Sequence, residues 1–304
     1  FAVNNLQEYP VKIISRALQI SKRAYLYHKN NSNRVKEKEI EQAVISCFHK
    51  HNGNYGRPRI KRALEKEGIV ISESKIARIM KENGLIAKAG RRRKRRKPKK
   101  TEEEILRENL LLNKDLSKLK RNEVWSSDIT EIKINGRILY VAGVIDVASR
   151  VVLGIYVATH MRQEIVHQAI KMAANKVEDT TGIIFHTDRG SQYTAKKTQQ
   201  LLEELDMIPS MSRPGKPNDN QTVESLWNSL KTELGSLTKL TKNVAIKKIY
   251  NHVTNYYNDV RMHSGIGYRT PMEAYNELSE HNCFTSLDEI IHKSKCPIKD
   301  ATHS

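Results

Sequence analysis

Asp128, Asp188 and Glu224 are the residues of this chain whose types and placement point to chemistry. Carboxylates held close together repel one another, and a proton or a cation between them relieves the repulsion. Hard carboxylate oxygens suit Mg2+, with Mn2+ as a substitute, and such ions keep positions open for water and phosphate. Two ions about 4 Å apart can activate an attacking oxygen and stabilise a leaving one in phosphoryl transfer. That reaction needs no nucleophilic side chain. Asp128, Asp188 and Glu224 are therefore read both as catalytic residues and as the ligands of two Mg2+ ions.

For the three acids to meet, the chain around them must fold into a sheet with one open mouth. Val124–Thr130 and Ile132–Ile134 read as a strand carrying Asp128, closed by a turn at Asn135-Gly136. Ile138–Asp146 and Val151–Thr159 read as the second and third strands, and residues 163–177 as a helix. Gly182–Thr187 is a short buried strand that delivers Asp188, followed by a helix over 194–206. A loop rich in Pro, Gly and Asn covers 213–220, and a helix from about Thr222 to Leu234 carries Glu224. Three antiparallel strands, then helix, strand, helix and helix, is the order of an α/β, ribonuclease-H-like core, a mixed five-stranded sheet with helices. There Asp128 lies on the central strand, Asp188 ends its neighbour, and Glu224 sits on the helix crossing that edge.

The 304 residues carry a formal net charge of +19, and its distribution says more than its size. Residues 1–100 hold 27 basic and 8 acidic side chains, whereas the rest of the chain is balanced at 26 of each. A polyanion-binding front joined to a neutral body is the direct reading, and nucleic acid is the polyanion it suits. In that front, Val11, Ile14 and Leu18 recur at helical spacing, and Ser21 caps a second short helix. Ile40, Val44 and Phe48 mark a helix over 37–51; Arg57-Pro58-Arg59 opens the next, and Ser72 caps a third. Two tandem all-α helix-turn-helix units result, over 1–35 and 36–90. Residues 91–100, RRRKRRKPKK, cannot fold on themselves and read as an extended arm that tracks phosphates. A connector helix over 101–114 leads into a core over 118–240, and a helical extension fills 241–304.

Other classes fall away. No run of about 20 apolar residues exists for a spanning helix, and no apolar signal segment opens the chain. Cys47, Cys283 and Cys296 are too few and scattered for a disulfide framework. The first residue is Phe1, so a processed chain, an engineered one or the downstream part of a longer polypeptide all fit.

Sixty positions separate Asp128 from Asp188, and 35 residues lie between Asp188 and Glu224. With that spacing, "WSSDIT", "HTDRGSQY" and "SRPGKPNDNQTVESLWNSLKTE" resemble the three catalytic blocks of DDE transposases of the insertion-sequence-three family. "YNDVRMHSGIGYRTP" resembles the segment closing that family's core, and "NYGRPRI" part of its DNA-binding front, so the resemblance spans roughly residues 9–275. Two details depart from it: Asn218 stands where an aromatic residue is usual, and Leu226-Trp227 follows the Glu-Ser pair where Phe is common. No paired His and paired Cys precede residue 101, so the zinc unit of retroviral integrases is not expected.

The resemblance implies a DNA strand-cleaving and strand-joining enzyme that works by a copy-out, paste-in route. Its partners would be the terminal inverted repeats and target DNA, and it would act as a homo-oligomer, a dimer, on that DNA. An upstream reading frame would supply a fusion or a partner, in a bacterial cytoplasm and at the nucleoid. The residues read as DNA-binding are Arg57, Arg59, Arg91, Arg92, Arg93, Lys94, Arg95, Arg96 and Lys231. A DNA-binding regulator on a dead catalytic scaffold and a nuclease without strand transfer are the rival readings. Asp146 is a weaker fourth acid, Asp219 and Asn220 read as helix caps, His186 as packed or touching DNA, and Trp125, Trp227, Tyr256 and Tyr257 as core.

Overall fold

The computed structural model describes residues 9–88 and 107–278, apart from the side chains of 28–34, 217 and 218. The chain falls into two compact units, Phe1–Ala89 and Gly90–Ser304.

The first unit is all-α. Helix α1 is Val11–Ala17, and α2 is Lys22–Lys50. The Ser21 hydroxyl caps α2 by accepting the Ala24 N–H at 3.0 Å. This helix runs through the expected boundary at residue 35, so the short helix and the helix expected over 37–51 are one 29-residue element. The polar Asn30-Asn31-Ser32-Asn33 stretch suggests a loop, but no Gly or Pro between 22 and 50 breaks the helix. Helix α3 is Arg57–Lys66, with Pro58 in its first turn, and α4 is Glu73–Glu82, capped by Ser72. Val44 and Phe48 from α2, Ile60 and Leu64 from α3, and Ile76 and Ile79 from α4 are buried together as this unit's core.

The second unit is built on a five-stranded sheet in the order β3-β2-β1-β4-β5. The strands are β1 Val124–Ile134, β2 Arg137–Asp146, β3 Val152–Ala158, β4 Ile184–Thr187 and β5 Ile208–Met211. The first three pair antiparallel, while β4 joins β1 and β5 joins β4 in parallel. This is the ribonuclease-H-like arrangement. Its fifth strand has little sequence signal, being four residues long and containing Pro209, a residue an edge strand tolerates. The described part of the expected connector helix is not helical: residues 110–113 form a turn, and Leu116–Lys118 a single 3-10 turn.

Helices cover both faces. On one, α5 (Glu164–Ala174), the short α6 (Ser191–Thr194) and α7 (Lys196–Glu204) bury Ile165, Val166, Ile170, Tyr193 and Leu202 against Trp125, Val144 and Phe185. Helix α5 lies so close to β3 that a Cβ at Gly154 would stand 2.0 Å from the Ala169 carbonyl oxygen. On the other face, α8 (Gln221–Leu234) and α9 (Lys242–Asn251) pack Val223, Trp227, Leu230 and Ile249 on Ile132, Leu139, Val141 and Ile145. A single π-helical stretch, His252–Tyr257, continues α9, and α10 (Pro271–Glu277) closes the described chain.

Candidate active site

β1 places Asp128 at the centre of the sheet, directly opposite Gly143 of β2. Side chains alternate along a strand, so Asp128, Thr130 and Ile132 share the face that α8 covers. β4 runs parallel to β1 with Thr187 beside Ser127, and Asp188 follows immediately at its end. The Gly190 N–H holds Asp188 by donating to its Oδ1 at 2.9 Å. Glu224 sits in the first turn of α8. Asp128 and Glu224 are half-buried, and Asp188 is exposed.

Asp128 feels the charge of both other carboxylates. Burial, then the charge of Asp188 and more weakly that of Glu224, push Asp128 up to about 7, against bonds from the Ile129 N–H and Trp227 that oppose the shift. Protein packed around the Asp188 carboxyl raises it as well. An Asp128 anion disfavoured by burial and by two neighbouring acids is what a cation relieves, and the oxygen donors suit a hard divalent ion. Among the described residues, no three His, Cys, Asp or Glu side chains form a ready-made cage for one ion. The donors fit ions held by carboxylates in pairs, with other positions left to water and substrate.

The supports of this mouth are polar and specific. Asn220, at the head of α8, does not cap the helix with its side chain. Its amide donates instead to the Ser127 carbonyl at 3.2 Å and accepts from the Ser126 hydroxyl, stitching the start of the Glu224 helix to the residues before Asp128. Asp219 is not a cap either: the Arg213 guanidinium binds both its oxygens at 3.0 Å and holds its carboxyl at about 2. The Ser127 hydroxyl lies 2.9 Å from that of Tyr193, and Trp227 Nε1 donates to Asp128 Oδ2 at 3.0 Å. Trp227 is thus more than core, and its place three positions after Glu224 on one helix is the signal that could have shown it.

Other expectations land away from the mouth. Asp146 is fully buried at the end of β2, beside the β2–β3 turn, where its oxygens accept from the Asn122 N–H (2.9 Å), the Ser149 N–H (2.8 Å) and the Ser149 hydroxyl. It is a turn anchor, not a fourth acid of the site. His186 is fully buried between the Ser210 (2.9 Å) and Ser212 (3.1 Å) hydroxyls, and burial lowers it to about 4. It ties β4 to β5 as a neutral ring. Lys231 does not reach outward from α8; its ammonium donates to the Thr130 hydroxyl, two residues along β1 from Asp128. In the other unit, Arg57 is exposed, while Arg59 lies 5.9 Å over the Tyr55 ring. Arg91, Arg92, Arg93, Lys94, Arg95 and Arg96 lie outside the described residues.

Models of the integrase core domain match residues 118–217 and 205–271, and a model of an HTH-like domain matches residues 35–95. The transposase for insertion sequence element IS904 of Lactococcus lactis is 35% identical over 253 residues, covering 82% of this chain and 99% of that protein. The chain belongs to the insertion-sequence-three family of transposases. Transposase InsF of insertion sequence IS3A from Escherichia coli K12 is 27% identical over 289 residues, covering 91% of this chain and 98% of that one. The catalytic core of HTLV-2 integrase, solved with magnesium, superposes with a TM-score of 0.40 at 15% identity over 52% of this chain and 98% of its own. As a transposase of this family, the protein is an enzyme of DNA transposition that cleaves and joins DNA strands, with an HTH-like front that binds DNA. No helix among the described residues is long and apolar enough to cross a membrane.

Proposed function

We propose that this transposase cuts the ends of its insertion sequence and joins the freed 3′-OH to another DNA strand at the mouth formed by Asp128, Asp188 and Glu224. The observation that carries the reading is that β1, the end of β4 and the first turn of α8 bring Asp188 and Glu224 close enough to Asp128 for both to raise its carboxyl. Asp128, Asp188 and Glu224 together would hold two Mg2+ ions, with Glu224 completing the second site; Mn2+ would substitute. When bound, such ions activate the attacking oxygen and stabilise the leaving one.

The chain's own residues hold this arrangement. Asn220 keeps the head of α8 against Ser126 and Ser127, so Glu224 and Asp128 are fixed relative to one another. The Gly190 N–H orients the Asp188 carboxylate. No side chain at the mouth needs to attack: water is the first nucleophile and the DNA 3′-OH the second, and no covalent protein–DNA intermediate forms.

Residues 1–90 and the basic stretch 91–96 would read and grip the terminal inverted repeats, with Arg57 and Arg59, at the start of α3, among the residues that contact DNA. Two ends must be brought together, so a dimer or larger homo-oligomer on DNA is proposed. The route would be copy-out, paste-in, with an upstream reading frame as fusion or partner, at the nucleoid of a bacterial cytoplasm.

Incubation of the full chain with element-end DNA and Mg2+ tests the proposal. A joined product is expected. Cut product alone would indicate a nuclease without strand transfer, and bound but intact DNA would indicate a regulator on an inactive core.

A further inference from the structure

The indole of Trp227 meets Asp128 in a way that packing alone does not require. Trp227 is 5% exposed, and a largely buried indole usually satisfies its N–H with an acceptor in the protein. That acceptor is Asp128 Oδ2, at 3.0 Å. The opposite strand makes room for the ring: Gly143 faces Asp128 across the β1–β2 ladder, and a Cβ there would stand 2.6 Å from the Trp227 ring edge. Position 143 must therefore lack a side chain for the indole to lie over β2 and point its nitrogen at Asp128.

We infer that Trp227 is a positioning residue for the divalent-metal site, holding the Asp128 carboxylate in a preset orientation, with Gly143 supplying the space that the ring needs. The inference rests on the proposal that Asp128 ligates metal. An indole N–H donates but neither accepts nor ionises, so it fixes the carboxylate plane without competing for cation. Because Trp227 lies on the helix of Glu224, the same element that brings one ligand also orients another. A hydrogen-bonded partner of a metal ligand typically governs about 10–100-fold of the metal affinity.

The test is calorimetric titration of the full chain with Mg2+ alone, alongside thermal melting and strand cleavage over a range of Mg2+ concentrations. Trp227→Phe keeps most of the ring and removes the N–H. It is expected to melt near the wild type and bind Mg2+ at least roughly tenfold more weakly. Its cleavage should recover toward the wild-type rate at high Mg2+, and Asp128→Asn should lose the binding heat. Tryptophan emission of the wild type should change on Mg2+ addition, and that change should vanish in Asp128→Asn. Gly143→Ala, which keeps the indole but displaces it, should weaken Mg2+ as Trp227→Phe does. Wild-type Mg2+ affinity in either folded variant, with Asp128→Asn still unable to bind, would overturn the positioning role and leave the metal reading standing. Unchanged Mg2+ binding in Asp128→Asn would overturn the metal reading and the inference with it.

Discussion

Arg261 Nε donates to Glu233 Oε1 at 2.6 Å, and this bond ties the segment closing the core to the helix that carries Glu224. Both residues are buried. Arg261 also donates to the Ser229 hydroxyl at 2.8 Å and lies 2.8 Å from His263 Nε2, while His252 Nε2 stands 3.2 Å from the second Glu233 oxygen. Burial alone would raise the Glu233 carboxyl, but the His252 and Arg261 contacts outweigh it and hold it below the ordinary carboxylate range. Sequence spacing does not reveal this cluster, because Glu233 and Arg261 are 28 positions apart and are joined only when α9 folds back on the sheet.

Arg261→Met should therefore destabilise the catalytic unit by about 3–5 kcal/mol, since it takes the guanidinium away from the buried Glu233 and leaves it with His252. Replacing Arg261 and Glu233 together by apolar residues should cost far less. Denaturant unfolding of the two variants and the wild type measures both quantities, and equal losses would show that the pair is not energetically coupled.

Ala at Asp128, Asp188 or Glu224 should lower cleavage and joining by more than about 10²-fold while binding of end DNA stays close to wild type. A gel-shift assay and a strand-cleavage assay on the same preparations separate the two effects. Retained strand transfer in any one variant would remove that residue from the site.

Asp146 predicts a pH dependence of stability. Burial raises it to about 6, against the bonds from Ser149 and Asn122, from an ordinary value of 3.8. The folded state therefore binds the proton more tightly than the unfolded one. Its contribution is fully present below about pH 4 and is lost as pH rises through about 6, by up to about 3 kcal/mol. Comparing unfolding of the wild type and Asp146→Asn from pH 4 to 7 isolates it: the difference should shift against the wild type as pH rises, and a constant difference would exclude this role.

Neutral residues in place of Arg91, Arg92, Arg93, Lys94, Arg95 and Arg96 should weaken binding to all DNA sequences alike. The slope of log affinity against log salt should flatten by up to about 5, at about 0.9 for each phosphate that the arm no longer neutralises. Arg57→Ala should cost more on the cognate end than on random DNA, because a helix-borne residue can reach a base edge. Filter binding at several salt concentrations decides both; a loss from the arm variant confined to the cognate sequence would show that the arm reads bases or groove shape.

Lys231→Ala should slow cleavage without weakening end binding, through its bond to Thr130 on the strand of Asp128. Cleavage rate against Mg2+ concentration distinguishes the causes. Full recovery at high Mg2+ would mean that Lys231 supports the metal site, whereas a persistent defect would mean that it positions the DNA strand. An unchanged rate would make it a structural tie alone.

The secondary structure of the core was legible because its signals are local. Alternation marks the second half of β1 and near-continuous apolar runs mark β2 and β3, the Asn135-Gly136 turn fixes the β1–β2 register, and apolar residues at helical spacing mark α5 and α8. Weak signals misled. The Asn-rich stretch in α2 looks like a break, although the helix runs through it, and β5 is too short and Pro-bearing to stand out. Asp219 and Asn220 have the composition of caps, but their side chains find better partners in Arg213 and the β1 backbone.

By itself the sequence determined the family, the basic front and most of the order of the core elements, and it singled out the three acids as candidates, since residue type, spacing and charge are properties of the chain alone. Only the tertiary structure decided which groups hold those acids. The β1–β2 register sets Gly143 across from Asp128, and the crossing of α8 lays Trp227 over that gap and Asn220 against Ser126 and Ser127. These contacts join residues about 90–100 positions apart. They depend on the packing of elements, which local periodicity does not encode.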